Sequence, residues 1–313
     1  MRISRITGIM NKLMNAGQLE SWLEYMKVRE RLQELPEEPV VAYAGTSGSF
    51  TEDAAINSFG PDSQRVACRQ FEDVFKSVLA GTADCGVIPV ENSTTGAVRD
   101  ISELLLEYGC TISGETEVGV CHCLLGVPGG GIGRIRKVVS HEQSLFQCAE
   151  YLDGHPDWEL VPCVNNALAA RDTAKAADPE CAAIASRRAG EIYGLEILEE
   201  GINTSGVNAT RFLIVTQGTV PSDESAPRKV SLSFGTPHVP GALYKILGIF
   251  ESRELNLCRI ESRPSGRKNW EYLFFVDFTG IFSDELLNSL VRELILNTTE
   301  LTFLGCYPER NRP

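Results

Sequence analysis

Short apolar runs alternate with helix-like segments through the first two thirds of this 313-residue chain. Residues 40–44 form one such run, which a glycine turn closes before a helical pattern over residues 50–59. Further runs at 85–90, 118–127, 137–140, 182–185 and 210–216 are interspersed with helix-like segments at 97–108, 142–152, 167–177 and 186–193. Strands that alternate with helices are typical of an α/β region with a mostly parallel sheet, and we predict one here.

A second pattern follows a polar segment, residues 217–228, whose proline and serine content is typical of a linker. The apolar pattern after it predicts strand, helix, strand, strand, helix and strand, at residues 230–234, 242–251, 256–262, 272–278, 284–295 and 300–307. The order βαββαβ is the ferredoxin-like arrangement. A sandwich of this kind has an exposed edge at each side, which suits side-by-side pairing of two copies.

The first 38 residues differ from the rest. Leu19, Trp22, Leu23 and Met26 have helical spacing, which predicts an amphipathic helix of about 15 residues. We expect this segment to serve in packing or oligomerisation and not in catalysis. The predicted organisation is a helical arm at 1–38, an α/β domain at 39–217, a linker at 218–228 and an α+β domain at 229–313.

Composition excludes several classes of protein. Hydrophobic residues make up 43% and charged residues 23%, as in ordinary globular proteins. The 29 lysines and arginines face 42 aspartates and glutamates, a net charge of −13, and there is no basic stripe of the kind that binds nucleic acid. No apolar run approaches the roughly 18 residues of a transmembrane helix, and no signal peptide is recognisable. We expect a cytoplasmic protein that binds neither nucleic acid nor a membrane.

The ten cysteines have no framework spacing, and Cys121-His122-Cys123 is their one tight cluster. A metal site needs three or four convergent ligands, and the sequence shows no second cluster. On a strand, the two cysteines would point one way and the histidine the other. We therefore expect buried free thiols and no bound metal.

Three turns between a strand and a helix are rich in hydroxyl and amide side chains: residues 45–49, 91–96 and 140–144. Ligands of open α/β sheets bind beyond the carboxyl ends of the strands, where helix N-termini favour anions. Serine, threonine and asparagine are also the preferred N-cap residues of helices, so each turn taken alone can be explained without a ligand. Since no Gly-Lys-Ser/Thr follows the first turn, ATP is not implied. A hydrolase is disfavoured because there is no Gly-x-Ser-x-Gly and His141 has no recognisable acid partner.

Arg211 stands at the start of an apolar strand, directly after Thr210. Arginine can hold a carboxylate in a bidentate fork, and the neighbouring threonine can donate or relay a proton. The position of Arg211 is equally compatible with a structural role, in which an arginine at a strand edge pairs with a surface carboxylate.

Six short segments carry a resemblance to a known family in their order and spacing. They are Gly48-Ser49-Phe50, Glu91-Asn92-Ser93-Thr94, Ser140-His141, Thr210-Arg211-Phe212, Gly241-Ala242-Leu243-Tyr244 and Glu261-Ser262-Arg263-Pro264. The first four resemble the prephenate dehydratase family, and the last two resemble the phenylalanine-binding ACT domain that follows its catalytic domain. The resemblance covers roughly residues 40–313. It implies an α/β fold: a two-lobed catalytic domain like a periplasmic binding protein, with a C-terminal ferredoxin-like α+β ACT domain.

By this resemblance the protein converts prephenate to phenylpyruvate, with loss of CO2 and water, in L-phenylalanine biosynthesis. Losing both groups makes the ring aromatic, so the substrate itself supplies the driving force and no cofactor or metal is implied. The site must hold two carboxylates and help hydroxide leave. General acid assistance of that kind gives about 10²–10⁴-fold in rate.

The resemblance also implies residue roles. Thr210 matches the catalytic threonine and would assist departure of the ring hydroxyl. Arg211 would fix a carboxylate or hold the neighbouring turn, and Asn92 completes the predicted catalytic set. The predicted substrate-binding residues are Ser49, Ser93, Ser140, Gln147 and Phe212.

The ACT-like segments imply feedback by L-phenylalanine. Residues 238–243 would form one half of the effector site and residues 261–264 the other. The predicted effector-binding residues are His238, Gly241, Ala242, Leu243, Glu261, Ser262 and Arg263. Because effector sites of the family lie between subunits, a homodimer or homotetramer is expected.

The sequence departs from the family pattern at Glu142, Ser144, Asn165 and Asn166, where the family usually has Pro, Ala and Ser-Thr. These positions could shift the preference towards arogenate, which has an amino group in place of the keto group. Bifunctional relatives carry a chorismate mutase domain in front. Residues 1–38 are too short for its three helices, so we predict no mutase activity.

Three functions other than a dehydratase are compatible with parts of this sequence. A two-lobed cleft also suits a solute-binding protein without chemistry, but Thr210 beside Arg211 would then have no role in proton transfer. An inactive amino-acid-sensing protein would be expected to have lost Thr210 or Asn92, and both are present. A transcriptional regulator would need a helix-turn-helix or a basic surface, and neither is visible.

Overall fold

The computed structural model describes residues 14–98, 100–265 and 271–309, in two compact units. Residues 36–101 and 116–214 form the first, named the α/β unit below. The second, named the α+β unit, contains the described residues up to Leu35, residues 102–115 and those from Val215 onward. Residues 102–115 therefore belong to the α+β unit, although the sequence pattern groups them with the α/β region.

The described residues form fifteen strands and ten α-helices. In chain order the strands are β1 Val41–Ala44, β2 Arg65–Cys68, β3 Cys85–Asn92, β4 Gly96–Ala97, β5 Thr111–Gly119, β6 Cys123–Gly126, β7 Lys137–His141, β8 Glu159–Cys163, β9 Cys181–Ala185, β10 Glu196–Glu200, β11 Ala209–Thr216, β12 Arg228–Gly235, β13 Asn256–Pro264, β14 Tyr272–Gly280 and β15 Glu300–Pro308. The helices are α1 Ala16–Glu30, α2 Phe50–Phe59, α3 Phe71–Leu79, α4 Ile101–Tyr108, α5 Glu142–Gln147, α6 Ala149–Asp153, α7 Asn166–Ala176, α8 Arg187–Tyr193, α9 Ala242–Glu251 and α10 Asp284–Asn297. None of these helices is both long and apolar enough to cross a membrane.

The first sheet has the strand order β2-β1-β3-β11-β5, and the short β4 pairs with β3. Strand β1 runs parallel to both β2 and β3. All four residues of β1 are buried, as a strand covered on both faces requires. Helices α2 and α3 pack on β1 and β3, and the polar turns that precede these helices follow the carboxyl ends of parallel strands.

The second sheet has the order β10-β6-β9-β7-β8. Strands β8 and β9 are parallel to β7, whereas β6 is antiparallel to both β9 and β10. Small side chains let α7 and α8 approach this sheet closely, since the core beneath them is rich in alanine: Ala169, Ala170, Ala183, Ala185 and Ala189 are buried there. The two sheets with their helices form two lobes, as expected, and the predicted α/β class is confirmed.

Two predicted elements are divided in the structure. The run 118–127 is split between the end of β5 and the start of β6, because the chain passes from one sheet to the other at residues 120–122. There the backbone N–H of His122 donates to the side chain of Asn203, 2.8 Å away, instead of to a strand. The predicted helix 142–152 is interrupted at Cys148, whose φ of −110° and ψ of 16° leave the helical region.

The α+β unit has the predicted βαββαβ order. Its sheet has the order β13-β14-β12-β15, with β12 antiparallel to both of its neighbours. Helices α9 and α10 bury their apolar sides in one core with this sheet. Strands β13 and β15 are the edges.

Helix α1 belongs to the same unit. Asn15 caps it in a reciprocal box with Gln18, and Trp22 and Tyr25 join the core that α10 and β15 line. The Tyr25 hydroxyl donates to the side chain of Asn288 on α10. The predicted amphipathic helix therefore packs within its own chain. Residues 1–13 of the predicted arm lie outside the described residues.

Residues 102–115 pack on the sheet of the α+β unit. The ammonium group of Lys229 on β12 lies 2.5 Å from the carboxylate of Glu115, and both side chains are only 7% exposed. A Cβ atom at Gly305 on β15 would come within 2.1 Å of the carbonyl oxygen of Ile112. Glycine is therefore required where β15 meets this segment.

Replacing Lys229 by methionine should lower the free energy of unfolding by about 3–5 kcal/mol, because it removes one partner of a buried ion pair. Equilibrium unfolding in urea at pH 7 measures the change. Lys175→Met is the matched control, since Lys175 is exposed on α7. If both variants unfold at the same urea concentration as the unmodified chain, the pair does not stabilise the fold.

Candidate active site

A cavity of about 230 Å³ lies between the two lobes of the α/β unit. It is bounded by the carboxyl ends of β3 and β7 and by the start of β11, and both lobes contribute to it. Its polar lining is made of amides, hydroxyls and imidazoles: Thr51, Asn92, His122, His141, Gln143, Ser144, Gln147, Asn165, Asn166 and Thr210. Its apolar lining is Phe50, Phe71, Pro89, Val98, Val120 and Phe212.

Asn92, at the end of β3, connects the turn that follows it to the start of β11. Its side-chain oxygen accepts hydrogen bonds from the backbone N–H and the hydroxyl of both Thr94 and Thr95, at 2.6–3.1 Å. Its side-chain nitrogen donates to the side chains of Asn208 and Thr210 and to the Ala209 carbonyl, at 2.8–3.1 Å. With every lone pair and hydrogen of the amide engaged, its orientation is fixed.

Thr210 and Phe212 line the cavity, whereas Arg211 between them does not, because successive side chains of a strand point to opposite faces. The Thr210 hydroxyl oxygen accepts the Asn92 hydrogen bond at 3.0 Å, which leaves its own hydrogen to donate into the cavity. The Arg211 guanidinium is 12% exposed and lies 3.3 Å from the Glu91 carboxylate. Glu91 directly precedes Asn92, so this contact joins β11 to the end of β3.

Ser140 is completely buried at the end of β7, behind the cavity wall. Its hydroxyl lies 2.7 Å from the Ile184 carbonyl and 3.0 Å from the side-chain oxygen of Asn166. Asn166 also accepts from the backbone N–H of His141 at 3.1 Å and contacts the hydroxyl of Ser144. Ser140 thus supports Asn166, and Asn166 is the residue of this pair that faces the cavity.

Two glutamines of α5 join the lobes across the cavity. Gln143 donates to the Thr95 hydroxyl, and the side-chain nitrogen of Gln147 donates to the Thr94 hydroxyl at 3.1 Å. Sequence reasoning found Gln147 but not Gln143, which lies one helical turn earlier on the same side of α5.

His122 also lines the cavity, and sequence reasoning did not assign it to the site. It is only 1% exposed, and its Nε2 lies 2.9 Å from the side-chain oxygen of Gln147. Burial lowers the pKa of His122 below its ordinary 6.5, and the hydrogen bond to Gln147 raises it by less. The neutral ring therefore donates from Nε2, and Nδ1 is a buried acceptor without a partner among the described residues.

A second cavity of about 440 Å³ shares a wall with the first, including Phe50, His141 and Asn166. Ser49 and Asn165 line it and cap the N-termini of α2 and α7, and Arg69 adds a positive charge. Helix N-termini and a guanidinium attract anions. Ser93, by contrast, lines neither cavity, since its backbone N–H and hydroxyl oxygen both pair with the backbone of Ala209.

The turn at residues 45–49 is held by the other lobe. A Cβ atom at Gly48, where φ is +85°, would come within 2.8 Å of the Ala189 backbone on α8. The buried carboxylate of Glu52 accepts from the Gly48 N–H at 2.8 Å and from Arg188 of α8 at 2.6 Å. Burial raises the pKa of Glu52, but the hydrogen bonds from Arg188 and Gly48 outweigh it and hold the pKa below the ordinary 4.5. An ionised Glu52 therefore fixes this turn.

The α+β unit has its own cavity, of about 630 Å³. Four of the predicted effector residues line it, namely His238, Gly241, Ala242 and Leu243. The other three, Glu261, Ser262 and Arg263, lie on the edge strand β13 and do not line it. There the Arg263 guanidinium donates to the Glu261 carboxylate at 2.6 Å and lies 3.9 Å from Glu103.

The chain matches two family models. One, described as prephenate dehydratase, covers residues 41–219, and the other, described as the ACT domain, covers residues 230–296. Among curated relatives, the bifunctional chorismate mutase/prephenate dehydratase of Stutzerimonas stutzeri is 39% identical over 277 residues, 87% of this chain and 74% of the relative. The chloroplastic arogenate dehydratase/prephenate dehydratase 1 of Arabidopsis thaliana is 35% identical over 282 residues, 86% of this chain and 71% of the relative.

Two solved structures are similar over nearly the whole chain. A prephenate dehydratase from Arthrobacter aurescens in complex with L-Phe has a TM-score of 0.78 and 30% identity, covering 86% of this chain and 90% of its own. A structure described as GqqA, a novel type of quorum quenching acylase, has a TM-score of 0.78 and 29% identity, covering 87% of this chain and 98% of its own.

His122 should titrate below pH 6.5 in the folded chain, because burial disfavours the imidazolium form. Proton NMR of the four histidines measures this, and the resonance that disappears in His122→Gln identifies the residue. Between the lowered pKa of the folded chain and pH 6.5, the His122 imidazole is protonated in the unfolded chain and neutral in the folded chain. Stability should accordingly fall as the pH drops below 6.5, and less so in His122→Gln. A midpoint at or above 6.5 would contradict the burial argument.

Proposed function

Because the chain belongs to the prephenate dehydratase family, we propose that the cavity around Asn92, Thr210 and Gln147 is where prephenate is converted to phenylpyruvate. The chain is an enzyme with a prephenate dehydratase domain and an ACT domain. The assignment of the reaction to these particular residues rests on one observation. The Thr210 hydroxyl, oriented by Asn92, has its hydrogen available to the cavity.

The reaction breaks two bonds of the substrate. The electron pair of the bond between ring and carboxylate moves into the ring as CO2 departs, and the ring expels the oxygen of its hydroxyl group on the opposite side. A hydrogen bond from Thr210 to that oxygen stabilises the negative charge that develops on it. Departure as water consumes one proton, supplied finally by solvent. General acid assistance of this kind contributes about 10²–10⁴-fold.

The substrate's two carboxylates need positive potential, and the second cavity supplies it. The N-termini of α2 and α7 meet there beside Arg69. No described residue that lines either cavity is an aspartate or glutamate, so a dianion meets no carboxylate at the walls. Ser49 and Asn165 cap these two helices and line the cavity, and we assign them to carboxylate binding.

Three of the predicted site residues act through their neighbours in this proposal. Arg211 holds Glu91, Ser140 holds Asn166, and Ser93 holds the backbone at Ala209. We therefore treat them as positioning residues. Thr210, Asn92, Gln147 and Phe212 keep the roles in the cavity that the sequence predicts, and His122 joins them by orienting Gln147.

Replacing Thr210 by alanine should lower kcat about 100–10,000-fold with a smaller change in KM, because the hydrogen bond strengthens as negative charge develops on the departing oxygen in the transition state. Phenylpyruvate formation from prephenate is the measurement. Thr210→Ser keeps the hydroxyl and should retain much of the rate. Thr82→Ala, an exposed threonine outside both cavities, is the control. A Thr210→Ala enzyme with unchanged kcat removes Thr210 from the mechanism.

We also propose that L-phenylalanine binds the cavity of the α+β unit and regulates the enzyme. The ACT domain match and the L-Phe complex of the Arthrobacter aurescens enzyme support this role. Leu243 and Phe274 offer apolar surface for a phenyl ring, and the loop 236–241 offers backbone polar groups. Since Glu261, Ser262 and Arg263 lie on the edge strand β13, they would complete the site from a second copy, in a cytoplasmic homodimer or homotetramer.

Ala242→Trp should weaken the response to L-phenylalanine while leaving turnover intact, because the indole occupies the space that a phenyl ring would take. We expect the concentration of L-phenylalanine at half-maximal effect to rise by more than about tenfold. Ser225→Trp places the same side chain in the exposed linker and should leave the response unchanged. A normal response in Ala242→Trp would place the effector elsewhere.

Arogenate is the second candidate substrate, and the 35% identical Arabidopsis thaliana relative favours testing it. Arogenate carries an ammonium group where prephenate has a keto group. The described cavity walls offer that cation no carboxylate. We therefore expect a higher kcat/KM for prephenate, measured by parallel assays for phenylpyruvate and phenylalanine formation. A higher kcat/KM for arogenate would reverse the assignment.

A further inference from the structure

Two cysteines and a glutamate converge where β10 pairs with the start of β6, and none of the three lines either cavity of the α/β unit. The Sγ atoms of Cys121 and Cys123 and a carboxylate oxygen of Glu200 all lie within 4.8 Å of one another. Cys121 and Cys123 flank His122, whose side chain lines the catalytic cavity, whereas neither cysteine lines that cavity. Glu200 joins them because the antiparallel pairing of β10 with β6 places it directly opposite Cys123.

We propose that Cys121, Cys123 and Glu200 form a binding site for a thiophilic divalent cation such as Zn²⁺ or Cd²⁺. Two thiolates and a carboxylate are ligands that these ions accept, and they cancel the charge of the ion. The Cys121 and Cys123 protons pass to solvent on binding. A fourth position remains for water, as in zinc sites with three protein ligands.

The geometry requires only small movements. Ligand atoms around a tetrahedral zinc ion lie about 3.5–3.8 Å apart, given bond lengths of about 2.0–2.3 Å. From separations of up to 4.8 Å, each atom needs to move by less than about 1 Å. Cys121 and Glu200 are exposed, so their side chains can make this adjustment and the ion can enter from solvent, while the buried Cys123 provides a fixed ligand.

One interaction competes with the ion. The Arg187 guanidinium, at the start of α8, donates to both oxygens of Glu200, with Nε at 3.0 Å. Both side chains of this pair are about half exposed, so water screens their attraction and the pair is weak. A carboxylate also has two oxygens, and one can bind the ion while the other stays with Arg187.

Both thiols are free in the structure, and so are the other eight cysteines, which means that a metal assay must separate this pair from the rest. Cys258 provides the comparison. It is exposed, as Cys121 is, and it lies on β13 of the α+β unit, away from any such cluster.

The full chain, reduced with a phosphine and freed of metal by a chelator, is titrated with Cd²⁺ in the absence of substrate. Cadmium bound to thiolates absorbs in the near ultraviolet, and we expect one equivalent per chain to produce this band. Zn²⁺ added afterwards in excess should weaken the band by competing for the same ligands. Because the assay needs no turnover, its outcome is independent of the proposed function.

Three variants locate the ion. Cys121→Ser should weaken Cd²⁺ binding by about 100-fold, and Glu200→Gln by about tenfold, because each removes a ligand. Cys258→Ser should bind like the unmodified chain. The proposal is overturned if no band appears, or if Cys121→Ser binds Cd²⁺ as tightly as Cys258→Ser does. Circular dichroism of Cys121→Ser confirms that a loss of binding does not come from unfolding.

Discussion

The side-chain amide of Asn92 holds the candidate site together. It bonds the turn after β3 on one side and the start of β11 on the other, two segments more than one hundred residues apart in the chain. The amide is buried, so leaving any of its hydrogen bonds unmade would cost the full desolvation of that group. The orientation of Thr210, and with it the direction in which its hydroxyl donates, follows from this one residue.

The candidate site is lined by neutral polar groups and helix N-termini, and Arg69 is the one Lys, Arg, Asp or Glu side chain among the described lining residues. The polar walls of the catalytic cavity are amides, hydroxyls and imidazoles, and in the second cavity Arg69 with the N-termini of α2 and α7 supplies the positive potential. Such an arrangement suits a reaction that needs placement and one hydrogen bond more than strong acid or base. A solved neighbour described as an acylase has a similar fold, so the fold alone does not determine the chemistry of the site.

Most of the fold could be predicted from the sequence, but helix α3 and several edge strands of the α/β unit were not predicted. Strands such as β1 and β9 are continuous apolar runs because both of their faces are covered, and these were predicted. Strands β2, β8 and β10 were not: each lies at the edge of its sheet and has exposed residues on both faces, so neither an apolar run nor an alternation marks it. The division of residues 118–127 between two sheets is likewise set by contacts distant in the sequence.

The sequence by itself determined the fold class, the family and the turns that border the cavity, because apolar periodicity and short motifs are local properties of the chain. Only the tertiary structure decided which side chains of those turns and of the neighbouring segments face the cavity. Arg211 turns away from it, Ser140 is buried behind Asn166, and His122 enters it. Glu200 meets Cys121 and Cys123 only through strand pairing. The physical reason is that these placements depend on strand registers and lobe contacts between residues far apart in the chain, which no local pattern records.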